Sequence, residues 1–301
     1  MKTGFLLIDK PEGPTSHDIV DQLRKILDLR RIGHAGTLDP FASGLLLVGI
    51  GKATRLLEYL GKEDKTYSFE LILGSTTDTY DRTGTIQPYA DSLSPGRVEA
   101  TSIQNILKEF IGEGKQTPPP FSAIKYKGKR LYQYAREGKK IDVQPRNVVI
   151  HSFKLLSYDY PRVLLEARVS KGTYIRSLGH DMGKRLGTGA YVQNLRRTAI
   201  GSLDVRDAVS IENIIEKDGM SKGWLLIGEA LKDWARYTVS GEGAKRLLQG
   251  NAIPETDVTP QDAPRSDRPF LIQDGGGRVL CAAVFQNLGN RSLIQPRKIL
   301  I

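Results

Sequence analysis

One acidic residue stands out for its setting. Asp39 lies in the run GHAGTLDPFASG (Gly33 to Gly44), directly before Pro40. Proline biases the residue before it away from helical angles and toward an extended conformation. Gly33, Gly36 and Gly44 permit tight backbone geometry on either side. The run leads into Leu45 to Ile50, a continuous apolar stretch with the pattern of a buried strand, so the carboxylate has a firm base. A carboxylate held this way can act as a nucleophile or stabilise developing positive charge. The ordinary reading of an Asp-Pro in a loop is a turn, and by itself the dipeptide favours that reading. A second segment, VSKGTYIRSLGHDMG (Val169 to Gly183), brings Tyr174 and Arg176 off a strand and into a helix. An arginine at a strand end can hold a carboxylate in a two-point pair and keep it ionised, although a lone arginine at a helix start is more commonly exposed. In YVQNLRRTAIGSL, Leu195 precedes Arg196 and Arg197, the pattern of core packing beside a charged surface. Tyr67 is by default a strand aromatic with its ring in the core.

Other chemistries leave no trace. The chain carries no P-loop, HExxH, GxSxG or CxxC pattern. Its four histidines, His17, His34, His151 and His180, show no i, i+4 or similar metal-ligand spacing. Its one cysteine, Cys281, excludes an internal disulfide and a cysteine-based zinc cluster, and its apolar surroundings (Val279 to Val284) predict a buried strand residue. Neither a metal nor a cofactor is expected.

The elements that must position Asp39 follow from periodicity. GFLLIDKPEGPTS reads as a strand and a Pro/Gly turn, and Ser16 can cap a helix that places Ile19, Leu23, Ile26 and Leu27 on one face. Gly33 to Gly44 reads as a loop, and Ala53 to Leu60 as a short helix. Apolar alternation at Tyr67, Phe69, Leu71 and Leu73 predicts a strand with Tyr67 near its start. Residues 74–97, rich in Thr, Asp and Gly, read as loop, and Ser102 to Ile111 as a helix ended by Gly112 and Gly114. Strands are expected over Val148 to Phe153, Val163 to Val169 and Val192 to Leu203, with a helix starting near Thr173 to Ser177. From about 116 to 146 the chain enters through Pro118-Pro119-Pro120 and then crowds Lys, Arg and Tyr together, which marks an insertion standing off the sheet.

The 301 residues carry 44 Lys and Arg against 34 Asp and Glu, a formal charge of +10. That excess favours a polyanionic partner, nucleic acid before an anionic membrane. The apolar runs are too short for a bilayer span or a secretory h-region, so a cytoplasmic setting is expected. Near residue 235 the composition shifts to Gly- and Pro-rich stretches with short β-like runs. This divides the chain into 1–235 and a β-rich module over 236–301.

Four runs together carry a resemblance. KPEGPTS (Lys10 to Ser16), GHAGTLDPFASGLL (Gly33 to Leu46), KTY (Lys65 to Tyr67) and SKGTYIRSLG (Ser170 to Gly179) resemble, in order and separation, the successive motifs of the TruB family of tRNA pseudouridine synthases. The resemblance implies an α+β fold: a mixed, mainly antiparallel central sheet with flanking helices and a thumb insertion, then a small β-rich PUA-like C-terminal domain. It implies that Asp39 is the catalytic aspartate, that Arg176 pairs with it, and that Tyr67 stacks on the target base. It further implies that Tyr174 and Leu195 shape the substrate pocket and that His34 fills the space left by a flipped nucleotide. Lys10 and the thumb residues Lys125, Lys127, Lys129, Arg130 and Arg136 would contact RNA, with Tyr126, Tyr132 and Tyr134 interleaved. The implied substrate is a T-loop uridine of tRNA, reached through the T-loop and T-stem by a monomer that needs no protein partner, cofactor or metal. Two other readings stay open: a guide-RNA-dependent pseudouridine synthase, and an RNA-binding or tRNA-folding protein without catalysis.

Overall fold

The structure is a computed structural model that describes residues 3–89, 98–122, 124–139, 141–215, 219–261, 268–289 and 291–301. Among these residues a ten-stranded sheet forms the body of the molecule. Its main path runs Trp224–Leu225, Gly4–Lys10, Ser43–Ile50, Ala190–Ile200, Lys65–Leu73, Arg162–Val169, Arg146–Asp159 and Gly112–Gln116. Every pairing on this path is antiparallel except Ser43–Ile50 with Ala190–Ile200. The fold is therefore mixed α+β with a mainly antiparallel sheet, as the sequence predicts.

The strand that follows Asp39 is apolar on both faces, and Leu45, Leu46, Leu47 and Val48 are all fully buried. One face packs with Leu23 and Ile19 of the helix Ser16–Leu27. The other joins Phe5, Ala53 and Leu56. Thr15 caps that helix in a reciprocal box with Asp18, one residue before the expected cap. The stretch expected to be a loop from Gly33 is instead partly paired. Ile32–Ala35 forms a strand against Leu47–Ile50, which puts His34 opposite Val48. A four-residue strand gives too short an alternation to be read from sequence. Likewise Ala53–Leu60 begins as a 3-10 turn, Gly51–Leu56, before one α-helical turn, Leu57–Leu60.

The helix Ile175–Arg185 carries Arg176 across the sheet, and two glycines bring it close. A Cβ at Gly179 would stand 2.6 Å from a Leu71 methyl, and one at Gly183 would stand 2.3 Å from the Ala190 backbone nitrogen. The insertion leaves the sheet at Gly112–Gln116 and returns at Arg146–Ile150, strands that pair with each other at the sheet edge. Between them lie a short hairpin, Lys125–Tyr126 with Lys129–Arg130, and the helix Leu131–Arg136. The tail forms a separate six-stranded sheet with its own core around Tyr237, Phe270 and Ile294. It does not stand apart, because Leu271, Ala282 and Leu300 are buried in one cluster with Phe5, Leu47 and Ile227. Among the described residues no helix is long and apolar enough to cross a membrane.

Because the Gly183 approach is to backbone, which cannot swing aside, Gly183→Ala is expected to destabilise the protein by about 1–3 kcal/mol through overpacking. The shift in denaturant midpoint measures this, and an unchanged midpoint would show that the helix can ride up without cost.

Candidate active site

The loop that carries Asp39 is fastened from several directions. The Leu38 N–H donates to Ser16 Oγ at 2.9 Å, and the Gly13 N–H donates to the Pro40 carbonyl at 2.8 Å. Arg197, 1% exposed, donates from Nε to the Leu45 carbonyl at 2.7 Å and from Nη2 to the Gly36 carbonyl at 3.0 Å. Its strand crosses so close to Gly44 (φ +101°) that a Cβ there would lie 2.3 Å from the Arg197 carbonyl. Lys10 lies beneath the same loop. It is wholly buried, and its ammonium donates to the carbonyls of Pro11 (2.7 Å), Pro14 (2.8 Å) and Pro40 (3.4 Å). Burial lowers its pKa to about 8, with Glu12 and Asp39 opposing. Expected from the resemblance to contact RNA, Lys10 here spends its ammonium on knitting two loops together. Sequence pattern alone does not separate a buried lysine from an exposed one.

Arg176 meets Asp39 at the floor of a cleft of about 830 Å³. Nη2 donates to Asp39 Oδ1 at 3.2 Å, and Nε stands 2.9 Å from Oδ2 as a charge contact whose N–H direction misses the oxygen. The pair is thus two-point in distance and hydrogen-bonded through one point. The other donors are spent on the protein, Nη1 on the Thr79 carbonyl (3.1 Å) and Nη2 also on the Phe121 carbonyl (2.9 Å). Asp81 Oδ2 lies 3.4 Å from Nη1. The side chains of Arg176 and Asp81 are 5% and 4% exposed, while that of Asp39 is 37% exposed and opens into the cleft. The cleft therefore presents the carboxylate and hides the guanidinium.

Asp81 and Thr79 are functional residues that sequence reasoning missed, because the run TTDTYDRTG reads only as loop. The signal available was the density of Thr and Asp, which satisfy one another locally. Asp81 Oδ1 accepts from Thr79 Oγ1 (2.9 Å), the Thr83 N–H (2.9 Å) and Thr83 Oγ1 (2.5 Å). Gln116, 5% exposed, was also missed. Its amide oxygen accepts from the Tyr174 N–H (2.8 Å) and its amide nitrogen donates to the Tyr174 carbonyl (3.0 Å), so it fixes the residue just before the Arg176 helix.

Tyr67, Tyr174 and Leu195 line the same cleft as Asp39 and Arg176. Tyr67 also belongs to the core cluster with Phe69 and Ile175, so its ring serves packing and cleft wall together. His34 does not line the cleft. It is half-buried, its Nδ1 is buried without a hydrogen-bond partner, and burial, then Arg197, lowers its pKa. In the insertion, Lys127 and Arg130 are exposed. Lys129 pairs with Glu137 and stands 5.0 Å over the Tyr134 ring. The side chains of Lys125 and Arg136 lie outside the described residues. A second cleft, of about 860 Å³, lies where Ile227 to Arg236 meets the tail. There Glu229 is turned back onto the Leu226 N–H at 2.7 Å, so the cleft offers no comparable carboxylate.

Burial behind the cleft walls pushes the Asp39 carboxyl above the ordinary aspartate range. The Asp81 charge pushes the same way, and the Arg176 guanidinium pulls back. The sequence suggests that Arg176 should lower this pKa; the guanidinium does act in that sense, but desolvation outweighs it.

Comparison with known proteins places the chain among enzymes of one kind. The family profile described as TruB family pseudouridylate synthase (N terminal domain) matches residues 24–175. A second, tRNA pseudouridylate synthase B C-terminal domain, matches residues 176–222. The tRNA pseudouridine synthase B of Syntrophotalea carbinolica is 41% identical over 94% of this chain and 92% of its own length. The protein of that name from Moorella thermoacetica is 39% identical over the whole of both chains. Among solved structures, a Cbf5-Nop10-Gar1 complex matches with a TM-score of 0.76 at 25% identity, covering 99% of this chain and 85% of that one. An H/ACA RNP bound to a substrate RNA containing 2'-deoxyuridine matches with the same TM-score at 22% identity, covering 99% and 85%.

The charge balance at Asp39 is measurable by carboxyl-carbon NMR titration of protein labelled at aspartate. The Asp39 midpoint is expected above the ordinary value of about 3.9. A midpoint at or below that value would mean that Arg176 outweighs burial.

Proposed function

The chain belongs to the TruB family of pseudouridylate synthases, and on that premise we propose that it converts the T-loop uridine of tRNA to pseudouridine at the Asp39 carboxylate. The observation that carries this reading is the open face of Asp39 above a buried guanidinium. The reaction breaks the bond from C1′ to N1, turns the base, and joins C1′ to C5. The proton leaves C5 and one is gained at N1, with no net oxidation and no group acquired. The demand is for one group beside the sugar that can add to an electron-poor carbon or stabilise its charge, and a carboxylate meets it. Glycosidases usually require a pair of carboxylates to expel and replace a leaving group. Here the leaving base is retained and reattached, so one exposed carboxylate serves and Asp81 stays behind Arg176.

A uridine inside a folded loop reaches Asp39 only when flipped out. Unstacking costs a few kcal/mol, which stacking on an aromatic offsets by about 1–3 kcal/mol per base. Tyr67 on the cleft wall supplies that face, and Leu195 beside it keeps water from the detached base. Tyr174 bounds the cleft near Arg146, and burial raises its phenol pKa, so it stays neutral as a donor. His34, on its short strand outside the cleft lining, occupies the gap in the RNA stack. Lys127, Lys129 and Arg130, with Lys125 and Arg136, grip the phosphates, which is how RNA of defined shape is held. The tail acts as a PUA-like RNA-binding module over 236–301, and residues 1–235 form the synthase unit. The stand-alone reading is preferred to a guide-dependent one. The relatives at 39–41% identity, matched over 92–100% of their length, are named tRNA pseudouridine synthases, whereas the matched chains of the H/ACA RNP and the Cbf5-Nop10-Gar1 complex share 22–25%. The enzyme works as a cytoplasmic monomer.

Purified protein incubated with unmodified tRNA transcript, without guide RNA or other protein, is expected to yield one new pseudouridine in the T-loop. A requirement for a guide would select the other reading. Asp39→Asn is expected to abolish the product while tRNA affinity changes by less than about threefold; full turnover would remove Asp39 from the mechanism. Arg176→Lys is expected to lower turnover roughly 10- to 100-fold with little loss of binding, since an ammonium does not reproduce the planar fork. Lys127→Ala and Arg130→Ala should each reduce the slope of log affinity against log salt by about one, and an unchanged slope would take those residues out of the RNA contact.

A further inference from the structure

The loop Asp78–Thr85 grips the Arg176 helix at two points, and only one of them lies at the active site. Thr79 and Asp81 face Arg176. The residue between them, Tyr80, faces the other way and stacks on His180, with ring centroids 3.8 Å apart and planes within 11°. His180 is four residues beyond Arg176 on the helix Ile175–Arg185, so the two side chains leave one helix face a turn apart. Neither Tyr80 nor His180 lines the cleft.

Tyr80 has φ +64°, a left-handed conformation that a bulky side chain rarely adopts. That turn is what lets the carbonyl before it and the carboxylate after it point at the same guanidinium. Backbone bonds hold the loop to the sheet on either side, from the Val192 N–H to the Tyr80 carbonyl (3.0 Å) and from the Arg82 N–H to the Val192 carbonyl (2.9 Å). Thr77 Oγ1 (2.8 Å) and Thr79 Oγ1 (3.0 Å) donate to the Asp81 carbonyl. The stacked ring adds a contact to the helix itself, and Thr76 Oγ1, 3.5 Å from His180 Nδ1, meets the imidazole from the strand Ser75–Thr77 that precedes the loop. A strained residue kept in place by a ring contact beside a reactive group is a common form of preorganisation.

We propose that Tyr80 and His180 form a positioning couple for the reaction at Asp39: their stack sets the Thr79 carbonyl and Asp81 carboxylate against Arg176, and through Arg176 holds the Asp39 carboxylate in its reactive orientation. This rests on the functional reading above and deepens it. The couple touches neither substrate nor reacting atoms and acts entirely through the guanidinium. Its signature is sensitivity to the flat ring and not to the phenol hydroxyl.

The test uses the full-length protein with tRNA transcript, measuring single-turnover pseudouridine formation, tRNA affinity and the Asp39 carboxyl-carbon titration. Tyr80→Ala and His180→Ala are each expected to slow the chemical step roughly three- to tenfold, the range a ring stack supports. Affinity should stay within about twofold. Tyr80→Phe and His180→Phe, which keep the rings, should restore the rate. The double alanine variant should be little slower than either single one, because both remove the same contact. In the alanine variants the Asp39 midpoint should rise further as the guanidinium loosens, and it should return with phenylalanine. Should an alanine variant fail to fold, Tyr80→Gly suits the positive φ and removes the ring, and it must show the same slowing. The proposal is overturned by a folded ring-less variant with the wild-type rate and titration, by Tyr80→Phe as slow as Tyr80→Ala, or by losses that multiply in the double variant. Wild-type protein that forms no pseudouridine would instead count against the functional reading, and the titration would still decide whether the stack governs the Asp39 pair.

Discussion

A guanidinium buried in a protein carries one charge and five N–H donors, and every donor left without a partner is costly. Arg176 is therefore the most demanding group in this molecule. Its partners come from separate stretches of chain: Asp39 from the glycine-rich loop, Thr79 and Asp81 from the threonine-rich loop, and Phe121 from the start of the insertion. None of these stretches is a regular element, and each would have a wide choice of conformations alone. The need to satisfy one cation narrows that choice and gathers them at one point. Removing a partner from such a cluster is more damaging than removing the cluster, because a buried charge is left uncompensated.

The same arrangement divides labour between two carboxylates. Asp81 is shielded behind the guanidinium, with Oδ1 occupied by Thr79 and Thr83 and Oδ2 facing Arg176, so it serves as fixed counter-charge. Asp39 shares the cation but keeps an open face toward the cleft. Desolvation pushes its carboxyl above the ordinary aspartate range and the Arg176 guanidinium pulls it back, so burial and the cation act on it in opposite senses.

The sheet supplies the rigidity that this balance needs. The strand after Asp39 is buried on both faces, the Arg176 helix is drawn onto the sheet by Gly179 and Gly183, and Gln116 clamps the backbone of Tyr174 from the edge strand. The tail adds to the same body through Leu271, Ala282 and Leu300, so any RNA it holds is held in fixed relation to the cleft.

The sequence by itself indicated the longer strands and the helix that bears Arg176, and its resemblance to a family, not its periodicity, grouped Asp39, Tyr67, Arg176, Tyr174 and Leu195, which line one cleft. Each sits in a short motif whose proline, glycines or alternation act over neighbouring residues, and local patterns of that kind survive in one dimension. Only the tertiary structure decided that Lys10 is buried, that His34 lies on a strand outside the cleft lining, that Asp81 backs Arg176, and that Tyr80 finds His180. Those facts depend on contacts between residues far apart in the chain, such as Arg176 with Thr79 across 97 positions and with Asp39 across 137. Nothing in the local pattern of a lysine or a threonine-rich loop records which distant group will desolvate it or claim its hydrogen bonds. Burial and partner choice are properties of the packed molecule, and they set the charge state of the site that the motifs only locate.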